Sequence, residues 1–208
     1  MKKEKVVLVG TEDAPLFRGI FREFGITFAE DQIDFTEAFS SLKFGSPQEK
    51  VVALSREKVF RLAEKRKNAG ELIVGFHAVA VFEKLELKYP QTPEEFEEVL
   101  AIIAGHIYRY CAGVSVGLVG ENGQIEEFSN KLVTIFPEVK RLSQAEIKSF
   151  VGGISLDEIA RSGPACRPLM GGISKLLKDS HIDVRDYENS MSQVTKRLFE
   201  DIGFQMAA

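Results

Sequence analysis

Some segments of this chain have the apolar pattern of a strand and others that of an amphipathic helix. Together these patterns predict an α/β protein. The longest apolar run, ELIVGFHAVAVF, covers residues 71–82 and is rich in Val and Ile. Such a run is typical of a strand that is covered on both faces, so we expect it in the middle of a sheet. Residues 5–10 form a shorter apolar run, which predicts a first strand ending at Gly10.

Capping residues mark the starts of the predicted helices. Ser46 can cap a helix whose first residue is Pro47, and Glu49 then completes a capping box. Pro15 can open an earlier helix, because a proline in the first turn loses no hydrogen bond. The predicted helices are residues 15–24, 46–69, 93–104, 144–151 and 190–202.

The second half of the chain predicts long strands joined by a tight turn. Residues 106–119 alternate between larger and smaller side chains, which is typical of a half-buried strand. Asn122-Gly123 is a hairpin signal, and residues 124–136 then return as the partner strand. Shorter strands are expected at residues 26–34 and 181–186. Long strands after the α/β units suggest a second sub-lobe.

Two polar residues interrupt these apolar patterns. His77 lies in the middle of the central run, and Lys58 falls among the inward-facing residues of helix 46–69. A buried histidine often only satisfies its hydrogen bonds, and an inward lysine often extends its ammonium to the rim. The alternative is that both side chains reach a site in a cleft.

Composition excludes several classes of protein. The chain has 208 residues and a net charge of −4, whereas a nucleic-acid-binding protein is usually basic. Cys111 and Cys166 lie far apart and have no metal-ligand spacing. The first residues lack the apolar core of a signal peptide, and no apolar stretch has membrane-spanning length. We therefore expect a soluble cytoplasmic protein.

The order of these segments, with several short motifs, resembles the Maf family. This family consists of nucleoside triphosphate pyrophosphatases, in a superfamily that also includes the inosine-triphosphate pyrophosphatases. The resemblance covers about residues 5–204 and rests on the order of segments more than on motifs. The motifs are REK (56–58), GFHAVAVFE (75–83), YP (89–90), AGVSV (112–116) and LSQAEIKSFV (142–151).

The resemblance implies a fold and a reaction. The fold would be one domain over residues 1–208, an α/β structure with a mixed twisted sheet, flanking helices and two lobes around a cleft. A nucleoside triphosphate would lie in the cleft, and a water molecule would attack its α-phosphorus and release pyrophosphate. If the chain is active, a divalent metal, magnesium or manganese, would screen the phosphate charge. The family also implies a homodimer.

Some positions of this chain retain the family's site residues. Pro15 and Arg18 match the phosphate-binding loop, Glu37 matches a metal-binding and catalytic glutamate, and Lys58 matches a catalytic lysine on the helix. The resemblance therefore implies that Arg18 and Pro15 bind substrate and that Glu37 holds the metal.

Other site positions are altered. His77 replaces a strand aspartate, which would be the catalytic base or a metal ligand. Tyr89 replaces a substrate-binding lysine, for which Lys88 could substitute, and a late glutamine falls near Cys166. In the first loop a serine becomes Ala14, and two arginines become leucine and phenylalanine.

These changes lead to three functional hypotheses. In the first, the protein binds a nucleotide, and its hydrolysis of the triphosphate is weak or lost. In the second, it is a working pyrophosphatase that removes non-canonical nucleotides, with His77 and Glu37 on a transition metal and Lys58 and Arg18 on phosphate. In the third, it is a structural or partner-binding subunit without a ligand.

Overall fold

The computed structural model describes residues 5–9, 14–33, 44–87, 90–155, 176 and 184–204, and it shows a mixed α/β fold. Within this part of the chain, a sheet of six strands is accompanied by five helices. The predicted fold class, a mixed sheet with flanking helices, is confirmed.

The central strand of the sheet is the long apolar run. The strands are β1 (Lys5–Val9), β2 (Phe28–Asp31), β3 (Glu71–Phe82), β4 (Leu85–Glu86), β5 (Arg109–Val119) and β6 (Ile125–Ile135). Their order is β2-β1-β3-β5-β6, with β4 paired to β3. β1 is parallel to both β2 and β3. The position predicted for residues 71–82 is therefore confirmed.

Strand β5 is buried on both faces, so the prediction of a half-buried strand was wrong. Its small residues alternate with larger ones because one face lies directly under a helix and not because it faces water. Gly113 shows this, since a Cβ atom there would lie 2.3 Å from the backbone oxygen of Val51.

The first four helices begin within one residue of the predicted positions, whereas the last begins at Val184 and not at residue 190 as predicted. The helices are α1 (Ala14–Glu23), α2 (Pro47–Arg66), α3 (Pro93–Ile103), α4 (Gln144–Gly152) and α5 (Val184–Asp201). Ser46 caps α2 as predicted, but the Glu49 carboxylate accepts from the N–H of Gly45 and not from that of Ser46. The helix ends at Arg66 because Lys67 takes a left-handed conformation (φ 52°), before Gly70 is reached.

The last helix corrects the prediction of a short strand at residues 181–186. Residues 184–186 are the first residues of α5, and residues 181–183 lie outside the described part. The turn predicted at Asn122-Gly123 lies between β5 and β6, and both residues have positive φ.

Helix α2 lies unusually close to the sheet because three strand residues beneath it are glycines. A Cβ atom at Gly75 of β3 would lie 2.4 Å from the backbone oxygen of Ser55. Gly113 and Gly117 of β5 allow the same approach further along. The buried hydroxyls of Ser55 and Ser115 form a hydrogen bond of 2.8 Å across this contact. This close packing places the side chain of Lys58 against β3.

Contacts divide the chain into two compact units. The first consists of residues 1–77, 112–133 and 190–208, and the second of residues 78–111 and 134–189. In the first unit, an apolar core that includes Val7, Val59, Leu62, Ile73 and Val119 joins β1, α2, β3 and β5. Among the described helices, none combines the length and the apolar character that crossing a membrane requires.

Candidate anion-binding site

Lys58 is a buried lysine whose ammonium is bound to the main chain of β3. Its residue is 7% exposed, and Nζ donates a hydrogen bond of 2.7 Å to the carbonyl oxygen of Phe76. A buried charge needs such acceptors, since removing it from water without them is costly. Lys58 therefore does not extend its ammonium to open solvent. The interpretation in which its ammonium reaches the rim was wrong.

His77 follows Phe76 directly and is influenced by the same lysine. The histidine is partly exposed, whereas its neighbours Phe76 and Ala78 are buried. Burial lowers the pKa of its imidazole to about 3, and the charges of Lys58 and then Lys50 act in the same direction. The imidazole is therefore neutral at pH 7, and the positive charges of both lysines disfavour its protonation.

Lys50 was missed by sequence reasoning. It lies in the first turn of α2, whereas Lys58 lies eight residues later in the middle of the helix. At about 100° per residue, the two positions are only about 80° apart around the helix axis. Their shared side of the helix was the available signal in the sequence, and both positive charges contribute to the lowered pKa of His77.

The sheet places this group near the carboxyl end of a strand. β1 runs parallel to β3, with Leu8 opposite Val74, so β1 ends beside the residues that lead to His77. Helix α1 then begins at Ala14. In open α/β sheets, ligands commonly bind at the carboxyl ends of parallel strands, and helix N-termini favour anions. Two lysines at this edge suit an anionic ligand.

His77 is a poor metal ligand in this setting. A neutral imidazole can bind a metal ion, but the charges of Lys58 and Lys50 that disfavour its protonation also repel a cation. Within the described ranges, no group of three or more His, Cys, Asp or Glu is arranged to hold a metal. Glu37, the predicted metal ligand, lies outside the described residues, so the expected divalent ion stays a prediction.

His77 is also a weak base in the free protein. A general base works best when its pKa lies near the working pH, whereas the pKa of His77 is lowered to about 3. In this state the imidazole accepts a proton from water poorly and is better suited to a hydrogen bond with a ligand.

Arg18 is paired with a carboxylate on the neighbouring strand. Its Nε and Nη2 donate hydrogen bonds of 2.6 and 2.8 Å to the two carboxylate oxygens of Glu30. This pair raises the pKa of Arg18 and lowers that of Glu30. A phosphate would have to compete with Glu30 for the guanidinium, so the substrate-binding role of Arg18 stays a prediction.

The remaining predicted site residues are not described in a way that tests their roles. Pro15 is the second residue of α1, as its predicted position in the first turn requires, but only its backbone is described. Four others lie outside the described residues, and their roles also stay predictions: Glu37, Lys88, Tyr89 and Cys166.

Comparisons with known proteins found similarity only at the level of structure. No family model matches the chain, and no curated protein matches it. It is similar to a HAM1 protein from Coxiella burnetii, with a TM-score of 0.46 and 11% identity over 94% of this chain and 100% of that chain.

Two further solved structures are similar over smaller parts of the chain. The protein VC0702 from Vibrio cholerae has a TM-score of 0.36 and 11% identity over 76% of this chain and 71% of that chain. A nucleoside-triphosphatase (dITP/XTP pyrophosphatase) from Mycobacterium abscessus has a TM-score of 0.39 and 9% identity over 66% of this chain and 74% of that chain. Since all three TM-scores are below 0.5, neither activity nor site residues are transferred from these proteins.

Proposed function

We propose that this protein binds the polyphosphate part of a nucleoside triphosphate at Lys50, Lys58 and His77, and that it hydrolyses the nucleotide weakly or not at all. The resemblance to the Maf family supplies the class of ligand. The buried ammonium of Lys58 beside His77 supports the choice of site.

The observation that carries the proposal is the buried ammonium of Lys58, which is held on the main chain of β3 directly before His77. Lys58 is held in place by the carbonyl oxygen of Phe76, and both lysines act on the imidazole of His77. An anion that enters this group gains two charge-assisted hydrogen bonds and a third from the imidazole N–H. Phosphate groups provide several acceptor oxygens for such donors.

The weak hydrolysis follows from the absence of a suitable base at His77. An imidazole whose pKa is about 3 activates a water molecule poorly. The first loop adds to this effect, since Ala14, Leu16 and Phe17 cannot supply the donors that the resemblance places there. Losing one such electrostatic group commonly lowers a rate by about a hundredfold or more.

Calorimetric titration with a panel of nucleoside triphosphates, ordinary and deaminated, tests the proposal. We expect binding by the unmodified chain and a loss of roughly tenfold or more in affinity in Lys58→Met, because a charge-assisted hydrogen bond contributes about 1.5–3 kcal/mol. Lys196→Met is the matched control, since Lys196 is an exposed lysine on α5. We expect its affinity to equal that of the unmodified chain.

A pyrophosphate assay on the same samples separates the hypotheses. Little or no release together with binding supports the proposal. Fast release that disappears in Lys58→Met would replace it with the working pyrophosphatase. If no nucleotide binds, the protein is a subunit without this ligand, and the proposed function is wrong.

A homodimer and a cytoplasmic location remain expectations from the sequence. Light scattering at several protein concentrations measures the first, and fractionation of cells measures the second.

A further inference from the structure

Strand β6 lies at one end of the described sheet and is long for an edge strand. In the order β2-β1-β3-β5-β6 it comes last, so β5 is its one neighbour within the part of the chain that the structure describes. It has 11 residues, Ile125–Ile135, whereas strands of globular proteins usually have about 5–6. The outer edge of such a strand presents N–H and C=O groups that can pair with a further strand.

One face of β6 carries opposite charges on either side of Ser129. The Ser129 hydroxyl and the Lys131 ammonium both bind the Asp201 carboxylate of α5, at 3.0 and 3.2 Å, so both side chains lie on the α5 face of the sheet. Glu127 lies on the same face, because side chains two residues apart in a strand point the same way. Glu127 and Lys131 are exposed, and each is two residues from Ser129.

The other face of β6 borders a groove along α2. The ring of Phe128 lies 5.4 Å from that of Phe60, and the guanidinium of Arg56 lies over both rings. The groove has a volume of about 750 Å³, and Asn130 is among its lining residues, so there is room above the strand for side chains of an added strand. Leu132 continues this face and is 42% exposed.

We propose that β6 pairs antiparallel with the β6 of a second copy of this chain, with Ser129 opposite Ser129. When two identical antiparallel strands are related by a two-fold axis, residues equally far from the centre on either side lie opposite each other. This register therefore places Glu127 of each copy opposite Lys131 of the other, which gives two pairs of opposite charge. Leu132 lies diagonal to Phe128 of the second copy, within reach of its ring.

Charge favours this register over its neighbours. Centring the pair on Glu127 or on Lys131 would place two like charges directly opposite each other, which is destabilising. Centring it on Phe128 or Asn130 would place the charged residues opposite uncharged ones. Because the strand is complementary to itself about Ser129, a second copy suits this edge better than an unrelated peptide. The inference does not depend on the proposed function.

Sedimentation velocity of the full chain at several concentrations tests the interface. We expect a monomer–dimer equilibrium. Glu127→Lys and Lys131→Glu should each weaken the dimer by roughly tenfold or more, because the two-fold axis makes both attractive pairs repulsive. The double variant Glu127→Lys, Lys131→Glu restores both pairs, so its dimer should recover. Lys196→Glu makes the same change in net charge on an exposed lysine of α5 and should dimerise like the unmodified chain.

A cysteine cross-link tests the register without changing these charges. In a Cys166→Ala background, we expect Ser129→Cys to give a disulfide-linked dimer on mild oxidation, since Cβ atoms of directly opposite residues lie about 4.5–5.5 Å apart. Leu132→Cys is the control on the same strand. Its residue would lie opposite residue 126 of the second copy and therefore about 20 Å from its own counterpart, so it should not cross-link.

The outcomes decide the inference either way. A dimer that is weakened in the single variants, restored in the double variant and linked at residue 129 supports it. A chain that stays monomeric at every concentration overturns it, and so does a dimer that the charge reversals leave unchanged or that the double variant does not restore. Where circular dichroism shows that a charge variant is unfolded, the presence or absence of the cross-link at residue 129 decides.

Discussion

A lysine ammonium that is removed from water needs oxygen atoms around it, and Lys58 has one in the main chain of the neighbouring strand. Its contact with the carbonyl oxygen of Phe76 places a fixed positive charge one residue before His77. Burial, and then the charges of Lys58 and Lys50, lower the pKa of the imidazole and keep it neutral over the physiological range. In the proposed site, these groups would act as hydrogen-bond donors to an anion.

The lowered pKa of His77 predicts how stability changes with pH. Its pKa is about 3 in the folded protein and 6.5 when unperturbed, so below 6.5 the unfolded chain takes up a proton that the folded chain does not. The free energy of unfolding is therefore highest above the unfolded pKa and falls as the pH drops toward the folded pKa. Urea unfolding at about pH 7 and about pH 5 measures this fall, and it should be smaller in His77→Gln. Equal falls in the two proteins would contradict the prediction.

At the scale of elements, the position of α2 determines the site. Glycines in β3 and β5 allow the backbone of the helix to contact the sheet. At the C-terminal end of the helix, Arg66 forms salt bridges with carboxylates of the sheet. Its guanidinium binds Glu71 through Nε at 2.6 Å and Asp31 through Nη1 at 2.6 Å. The hydrogen bonds from Lys65 and Arg66 lower the pKa of Asp31 to about 2.

Gly75→Ala tests the close approach of the helix. The added Cβ would lie 2.4 Å from the backbone oxygen of Ser55, so helix and strand must separate. We expect a loss of about 1–3 kcal/mol in the free energy of unfolding, and weaker polyphosphate binding because Lys58 moves with the helix. Gly19→Ala in α1 is the control, since nothing lies within 4 Å of its Cβ position. That variant should gain up to about 1 kcal/mol from helix propensity.

Arg66→Met tests the salt bridges of Arg66 with Glu71 and Asp31 at the C-terminal end of α2. It leaves the buried carboxylate of Glu71 without its main partner, and this should lower the free energy of unfolding by about 2 kcal/mol. Arg61→Met changes an exposed arginine of the same helix that pairs with Glu57. An exposed pair of this spacing contributes only about 0.3–0.5 kcal/mol. Similar losses in the two variants, measured by urea unfolding, would show that Arg66 has no special role.

On the scale of the whole molecule, a net charge of −4 opposes anions, so the proposed site would have to act through local positive charge. Local attraction of this kind is screened by salt. Raising the ionic strength from roughly 0.1 M to roughly 1 M shortens the Debye length from about 10 Å to about 3 Å. We expect the affinity for tripolyphosphate to fall steadily over this range in calorimetric titrations. An affinity that is independent of salt would mean that contacts other than the lysine charges hold the ligand.

Much of the architecture could be predicted from local patterns. The apolar run at β3 indicated a strand covered on both faces, and the cap at Ser46 indicated the start of α2. Strand β5 was misread because alternation of small and large residues looks the same whether the small face meets water or a helix. The end of α2 was misplaced because a lysine, Lys67, adopts the left-handed conformation that usually marks a glycine.

The sequence by itself determined which segments are strands and helices, since periodicity and capping act between residues that are near neighbours along the chain. It also pointed to Lys58 and His77 as polar residues in apolar surroundings. Only the tertiary structure decided that the Lys58 ammonium binds the main chain directly before His77, while Arg18 is paired with Glu30. The reason is that electrostatic interactions depend on distance through space, and the packing of α2 on glycines sets that distance.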